Sequence, residues 1–319
     1  MVDHEFGRIL TASEWREQLE VMLVEHRPYC RKGTIPDYIP ELAKADCDHL
    51  AASLCLLSGE VIEAGDTEIS FTMQSVSKVI ALALALMDCG EKIVFDKVGM
   101  EPTGDPFNSI VKLETTKPNK PLNPMINAGA IAVTSLIQGR DPDDKLSRIL
   151  QFIHALSGSS EITYSEAVAR SESETANLNR SLAYFLKEHR VIDGDIEEIL
   201  ELYFKQCAVQ LKCRDMARIG AVLANNGKDL NTDKQLIPAH IARICKTFMV
   251  TCGMYNASGE FAIKVGIPAK SGVSGAIMGA IPYHMGIGVY SPALDEIGNS
   301  LAGIKLLESM SERWQLSIF

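Results

Sequence analysis

A hydroxyl and an amine stand three residues apart in Gln74-Ser75-Val76-Ser77-Lys78, just where the chain is about to enter a helix. The preceding Glu68 to Met73 is extended in character. The following Val79 to Met87 is rich in helix formers and lacks Gly and Pro. The pattern therefore places Ser75 in the first helical turn, where residues i and i+3 share a face and the tip of Lys78 reaches the Ser75 hydroxyl. A partly buried lysine of lowered pKa can take the proton that an attacking serine must lose. Free N–H groups of a first turn favour the negative charge that develops. The same Ser-x-x-Lys spacing recurs at Ser109 to Lys112, but in a Pro-rich stretch with no comparable helix start. Spacing alone does not separate the two copies.

Other segments add chemistry. Asn127 ends a Pro-rich stretch and offers both a donor and an acceptor near a helix start, though an Asn there also reads as an N-cap. Glu172 and Asn179 are seven apart and share a face if their helix is continuous, where they could hold an α-ammonium and an α-carboxylate. Taken by itself the pattern reads as a solvated helix face. Lys270-Ser271-Gly272-Val273 precedes a Gly-containing strand. In penicillin-recognising enzymes a Ser-x-x-Lys followed by such a Lys-Ser/Thr-Gly triplet lines one site, and a backbone N–H of the strand helps form an oxyanion hole.

The elements that must position these groups follow from pattern. Thr11-Ala12-Ser13-Glu14 is a capping box opening an amphipathic helix to about His26, with Trp15, Leu19, Met22 and Leu23 on one face. Leu50 to Leu57 and Val61 to Ala64 flank Ser58-Gly59-Glu60 as a β-hairpin. Residues 100–124, with five prolines, form a long irregular connection. From about 129 to 250 the pattern is helical, with segments at 129–138, 165–171, 176–189, 195–207, 213–226 and 238–251, and no strand of any length between them. Strand-like runs return at 275–282 and 285–290, before a helix over about 299–314. The expected fold is α+β: an antiparallel sheet built from both chain ends, packed by the terminal helices, with an inserted all-helical lobe and a ligand cleft between them.

Size and composition narrow the function. The 319 residues allow a substantial core, and the net charge of −10 argues against nucleic-acid or anionic-membrane partners. Met1 to Gly7 shows no secretory signal, and the longest apolar run is far short of the roughly 20 residues that span a bilayer. The eight cysteines show no Cys-x-x-Cys pair and read as reduced thiols in a cytoplasmic protein, and the seven histidines have no metal-ligand spacing. No metal is expected.

Read jointly, Asp37 to Leu42, Gln74 to Lys78, Asn123 to Ile131, Ser171-Glu172 with Asn179, and Cys252 to Tyr255 running on to Pro268 to Val273 resemble the serine-dependent glutaminases over nearly the whole chain. The resemblance is to the compact bacterial type, without extra N-terminal regions or ankyrin repeats. It implies the β-lactamase/transpeptidase-like fold in one catalytic domain over 1–319, with a sheet lobe of about 1–74 and 252–319 and a helical lobe of about 75–251. It implies hydrolysis of L-glutamine to L-glutamate and ammonia without a cofactor. By the same likeness Ser75 is the nucleophile, Lys78 its base and Tyr255 the proton relay, and the backbone N–H groups of Ser75 and Val273 form the oxyanion hole. Tyr38, Gln74, Asn127, Glu172, Asn179 and Tyr203 fall at substrate-binding positions. A homodimer or homotetramer is implied as well. Two readings compete: a β-lactamase or penicillin-binding-type serine hydrolase, disfavoured by the lack of an export signal and of a Ser-Asp-Asn triplet, and a catalytically silent homologue that binds an amino acid.

Overall fold

The structure is a computed structural model that describes residues 11–115 and 117–319. Met1 to Gly7, where no secretory signal is read, lies outside them. In chain order the elements are α1 (Ala12–His26), β1 (Ala51–Leu56), β2 (Val61–Gly65), β3 (Phe71–Thr72), α2 (Ser77–Lys97), α3 (Val111–Thr115), α4 (Asn127–Leu136), α5 (Pro142–Ser157), β4 (Thr163–Tyr164), α6 (Glu166–Thr175), α7 (Asn177–Glu188), α8 (Ile196–Cys207), β5 (Val209–Leu211), α9 (Cys213–Ala224), α10 (Ala239–Cys252), α11 (Ser258–Lys264), β6 (Ala269–Gly272), β7 (Ala276–Ile281), β8 (Met285–Tyr290) and α12 (Leu301–Trp314).

The main sheet is antiparallel in the order β2-β1-β8-β7-β6, so its first two strands come from one end of the chain and the rest from the other. Its period-2 alternation sorts side chains between two faces. Ala52, Leu54, Ile277, Ile281, Ile287 and Val289 pack with Leu19 and Met22 of α1 and Leu306 and Met310 of α12. On the other face Gly286 and Gly288 lie against α9. A Cβ on Gly286 would stand 2.0 Å from the Ala217 carbonyl oxygen and 2.1 Å from the Ala221 nitrogen, so helix and sheet meet backbone to backbone. The glycines are needed for that approach. Both faces are thus covered by helices, the terminal pair on one side as expected.

The helical segments of the middle region all form, with ends displaced by a few residues. The capping box of α1 is present: Thr11 Oγ1 accepts from the Glu14 N–H and Glu14 accepts from the Thr11 N–H. One helix of that middle region, α5, is absent from the sequence reading although it carries a start and a stop, and the short α3 and α11 outside it are absent too. Asp141 caps α5, Pro142 opens it, and Gly158 follows it in the left-handed conformation. Two short strands do interrupt the helices. β4 and β5 join β3 in a second sheet of order β3-β5-β4. Two- and three-residue strands are too brief to show a period in sequence. They fix the approach to Ser75, because the Met73 N–H donates to the Val209 carbonyl at 2.8 Å.

No helix among the described residues is long and apolar enough to cross a membrane.

Candidate active site

Ser75 lies one step earlier than the pattern places it. Gln74 to Val76 form a 3₁₀ turn that runs into α2, which starts at Ser77. Gln74 is the cause. Its φ of 45° is left-handed, a conformation that costs a non-glycine residue on the order of 1–3 kcal/mol and is held only by its surroundings. Those surroundings are the end of β6 and the turn after it. A Cβ on Gly272 would lie 2.6 Å from the Met73 carbonyl oxygen, and Ser274 Oγ donates to the Thr72 carbonyl at 2.6 Å. The glycine of the Lys-Ser-Gly triplet is therefore a contact requirement. Val273, buried, follows it directly, so its backbone lies beside the nucleophile turn.

Lys78, 1% exposed, donates to Asn127 Oδ1 at 2.7 Å and to the Met125 carbonyl at 3.3 Å. Asn127 is the first residue of α4 and not its cap. The cap position belongs to Ile126, and the Asn127 carboxamide instead accepts from Lys78 and from Tyr203 (3.4 Å) while donating to Asn179 Oδ1 at 3.0 Å. Burial pushes the Lys78 amine down to about 8, against the attraction of Cys207 and Glu172. Burial pushes the Glu172 carboxyl up to about 8, opposed by Lys78 and by a hydrogen bond from Gln74. The other oxygen, Oε2, is buried with no hydrogen-bond partner. An acceptor left open in that way suits a cation arriving from outside. Glu172 and Asn179 do not share a continuous helix. The chain breaks at Ala176, so they sit on α6 and α7 and converge through tertiary packing. Tyr203, on α8, is buried, which drives its phenol well above its ordinary pKa.

Tyr255 also has a left-handed φ, of 56°, in the turn between α10 and α11. Its hydroxyl donates to the Ser271 carbonyl at 3.3 Å and stands beside Ser75, and burial pushes its pKa up. The ring lies between Phe107, centroids 4.6 Å apart, and Lys270, whose Nζ is 4.6 Å from the ring centroid. Tyr38 stands at the rim, half-exposed. Burial of its hydroxyl end raises its pKa, with Tyr255 and Glu172 close enough to add to the effect.

All the site residues read from the sequence thus converge on one place. In the second Ser-x-x-Lys, Ser109 is engaged locally. A short helix, α3, does begin there, and Ser109 Oγ accepts from the Val111 N–H in a local turn. Phe107 and Cys207 are site neighbours that the sequence reading missed. Phe107 lies in the Pro-rich connection, whose lack of periodicity says nothing of where a side chain points. Cys207 offers one thiol among eight. The assembled groups, a hydroxyl with a phenol and a depressed amine beside it and an open carboxyl nearby, are those of acyl transfer from a small substrate that carries an ammonium.

Comparison with known proteins agrees with that chemistry. The sequence model of the glutaminase family matches residues 33–319. Glutaminase 1 of Halalkalibacterium halodurans is 61% identical over 303 residues, covering 95% of this chain and 98% of that protein. The glutaminase of Shouchella clausii is 59% identical over 303 residues with the same coverage. Among solved structures, a Bacillus glutaminase in 4.3 M NaCl superposes with a TM-score of 0.89 at 45% identity, covering 95% of this chain and 99% of that one. A probable glutaminase from Bacillus subtilis complexed with 6-diazo-5-oxo-L-norleucine gives 0.88 at 42% identity, covering 98% and 99%. The fold is accordingly the α+β, β-lactamase-like one of these enzymes. On matches of this extent and identity, the chain belongs to the glutaminase family.

Proposed function

We propose that Ser75, Lys78 and Tyr255 carry out the hydrolysis of L-glutamine to L-glutamate and ammonia. The overall reaction is that of the family, and the chain is a glutaminase. The β-lactamase-type and silent-homologue readings give way to it. For the residue roles, the supporting observation is that the Tyr255 hydroxyl stands beside Ser75, with a wholly buried Lys78 three residues on whose pKa is lowered to about 8.

In this scheme neutral Lys78 takes the Ser75 proton and Oγ attacks the side-chain carbonyl carbon. The backbone N–H groups of Ser75 and Val273 hold the oxyanion. Tyr255 then passes a proton to the departing nitrogen, because amide anion is too strong a base to leave unaided. Water cleaves the acyl-enzyme by the reverse sequence. Glu172 pairs with the α-ammonium through its open oxygen, oriented from the other side by Gln74. Asn127, Asn179, Tyr203 and Tyr38 hold the carboxylate and the amide. No cofactor enters the scheme.

A Bacillus subtilis glutaminase forms a covalent complex with 5-oxo-L-norleucine after reaction with 6-diazo-5-oxo-L-norleucine. The same reagent tests the nucleophile here. Peptide mass spectrometry should find the adduct on Ser75, and an adduct elsewhere in a fully inactivated sample would refute the assignment.

We further read the chain as one catalytic domain over 1–319, with a sheet lobe (about 1–74 and 252–319) and a helical lobe (about 75–251) meeting at the site. Its location is read as cytoplasmic, which eight unpaired thiols support. Its assembly is read as a homodimer or homotetramer on the family likeness, and light scattering decides between them.

A further inference from the structure

Lys270 is 0% exposed, and no carboxylate among the described residues pairs with it. Its Nζ donates to two backbone carbonyls, Gly253 at 3.2 Å and Ser271 at 2.6 Å. The Ser271 carbonyl is also the acceptor of the Tyr255 hydroxyl, and Gly253 lies two residues before Tyr255. The same Nζ stands 4.6 Å from the Tyr255 ring centroid. A single side chain therefore touches the ring, the carbonyl that orients its hydroxyl, and the end of α10 that leads into its left-handed turn. Burying a lysine without a counterion is costly, and filling space does not require it, since a thioether of the same length would do so. Burial pushes the Lys270 amine well down, with Lys78 adding to the effect, and a neutral amine keeps two N–H donors for the two carbonyls.

We propose that Lys270 is a positioning residue for proton delivery: it fixes the Tyr255 hydroxyl where it can protonate the leaving nitrogen. The inference rests on the role given to Tyr255 above. It assigns Lys270 no contact with substrate. Binding groups on α4, α6, α7 and α8 are untouched by its loss, so the defect belongs to the step in which the C–N bond breaks and the nitrogen gains its proton.

The test compares two substrates in the full-length enzyme. L-Glutamine needs that proton, whereas L-glutamate γ-methyl ester releases methoxide, a far weaker base than amide anion, and needs it much less. For Lys270→Met, kcat/KM on glutamine should fall about 10²-fold, the scale of a 1 Å misplacement, with KM little changed. On the ester it should fall by no more than a few-fold. The ratio of the two values does not depend on the folded fraction, so it remains readable if the variant folds poorly. Lys270→Gln, which keeps a donor, should recover part of the ratio. Tyr255→Phe is the control and should show the same selective loss. If it does not, the Tyr255 role fails and this inference with it. If Tyr255→Phe is selective but Lys270→Met loses both substrates equally, or loses neither, the Tyr255 role stands and the positioning role of Lys270 is wrong.

Discussion

The central strands under α9 and the edge strand β6 belong to one sheet but follow opposite rules. Under α9 the residues are small and apolar: Gly286, Gly288, Ala217 and Ala221 let backbones touch, and the strands' polar groups are paired along the ladder. At β6 the sheet meets buried ionisable groups, Lys270 within it and Lys78 and Glu172 across from it, with Ser271 Oγ and Glu172 Oε2 lacking partners. The first region gains stability from every contact. The second gives stability up, in desolvated charges and in left-handed Gln74 and Tyr255, to keep reactive groups in place. A substitution should therefore damage stability in one region and chemistry in the other.

The sharpest contrast is expected from Lys78→Met. It removes a buried amine and leaves volume, so activity should fall by at least about 10³-fold while the melting temperature holds or rises. A variant that loses both together would break the contrast. Glu172→Gln should come next, with KM for glutamine up by about 10²-fold and a smaller loss in kcat, because a charge-assisted bond to the α-ammonium is replaced by a neutral one.

The pH profile sharpens the same point. Below about 8 Lys78 is protonated and cannot accept, and Glu172 is neutral and cannot pair with an ammonium, so both effects remove activity as pH falls. Their charges interact, and the apparent values belong to the pair. kcat/KM should rise about tenfold or more per pH unit below that point, and a flat profile from pH 6 to 9 would exclude Lys78 as base if chemistry limits the rate. The smallest effect should come from the packed region. Gly286→Ala should cost about 1–3 kcal/mol through overpacking, a few degrees in melting temperature, with kcat/KM per folded molecule unchanged.

Local signals made much of the fold legible. The capping box at Thr11 gives α1, the turn at Ser58-Gly59 gives the hairpin, and strand patterns at both chain ends give the sheet. α5 is legible by the same rules, from its Asp141 cap, its proline and its terminal glycine, and lies outside the segments expected to be helical. The break at Ala176 was not readable, because no Gly or Pro marks it and the convergence of Glu172 with Asn179 comes from packing between α6, α7 and their neighbours. Motif spacing brought Ser75 and Lys78 together. The setting of Tyr255 between Phe107 and Lys270 depends on three segments distant in sequence, and no local period encodes that.

The most direct test of the account is ammonia release from L-glutamine by the purified protein beside Ser75→Ala, with glutamine binding to the variant measured by calorimetry. The account predicts turnover by the native chain, and in the variant a loss of at least about 10³-fold with binding retained. Substantial turnover by Ser75→Ala would contradict it, since the chemistry would then run through another group.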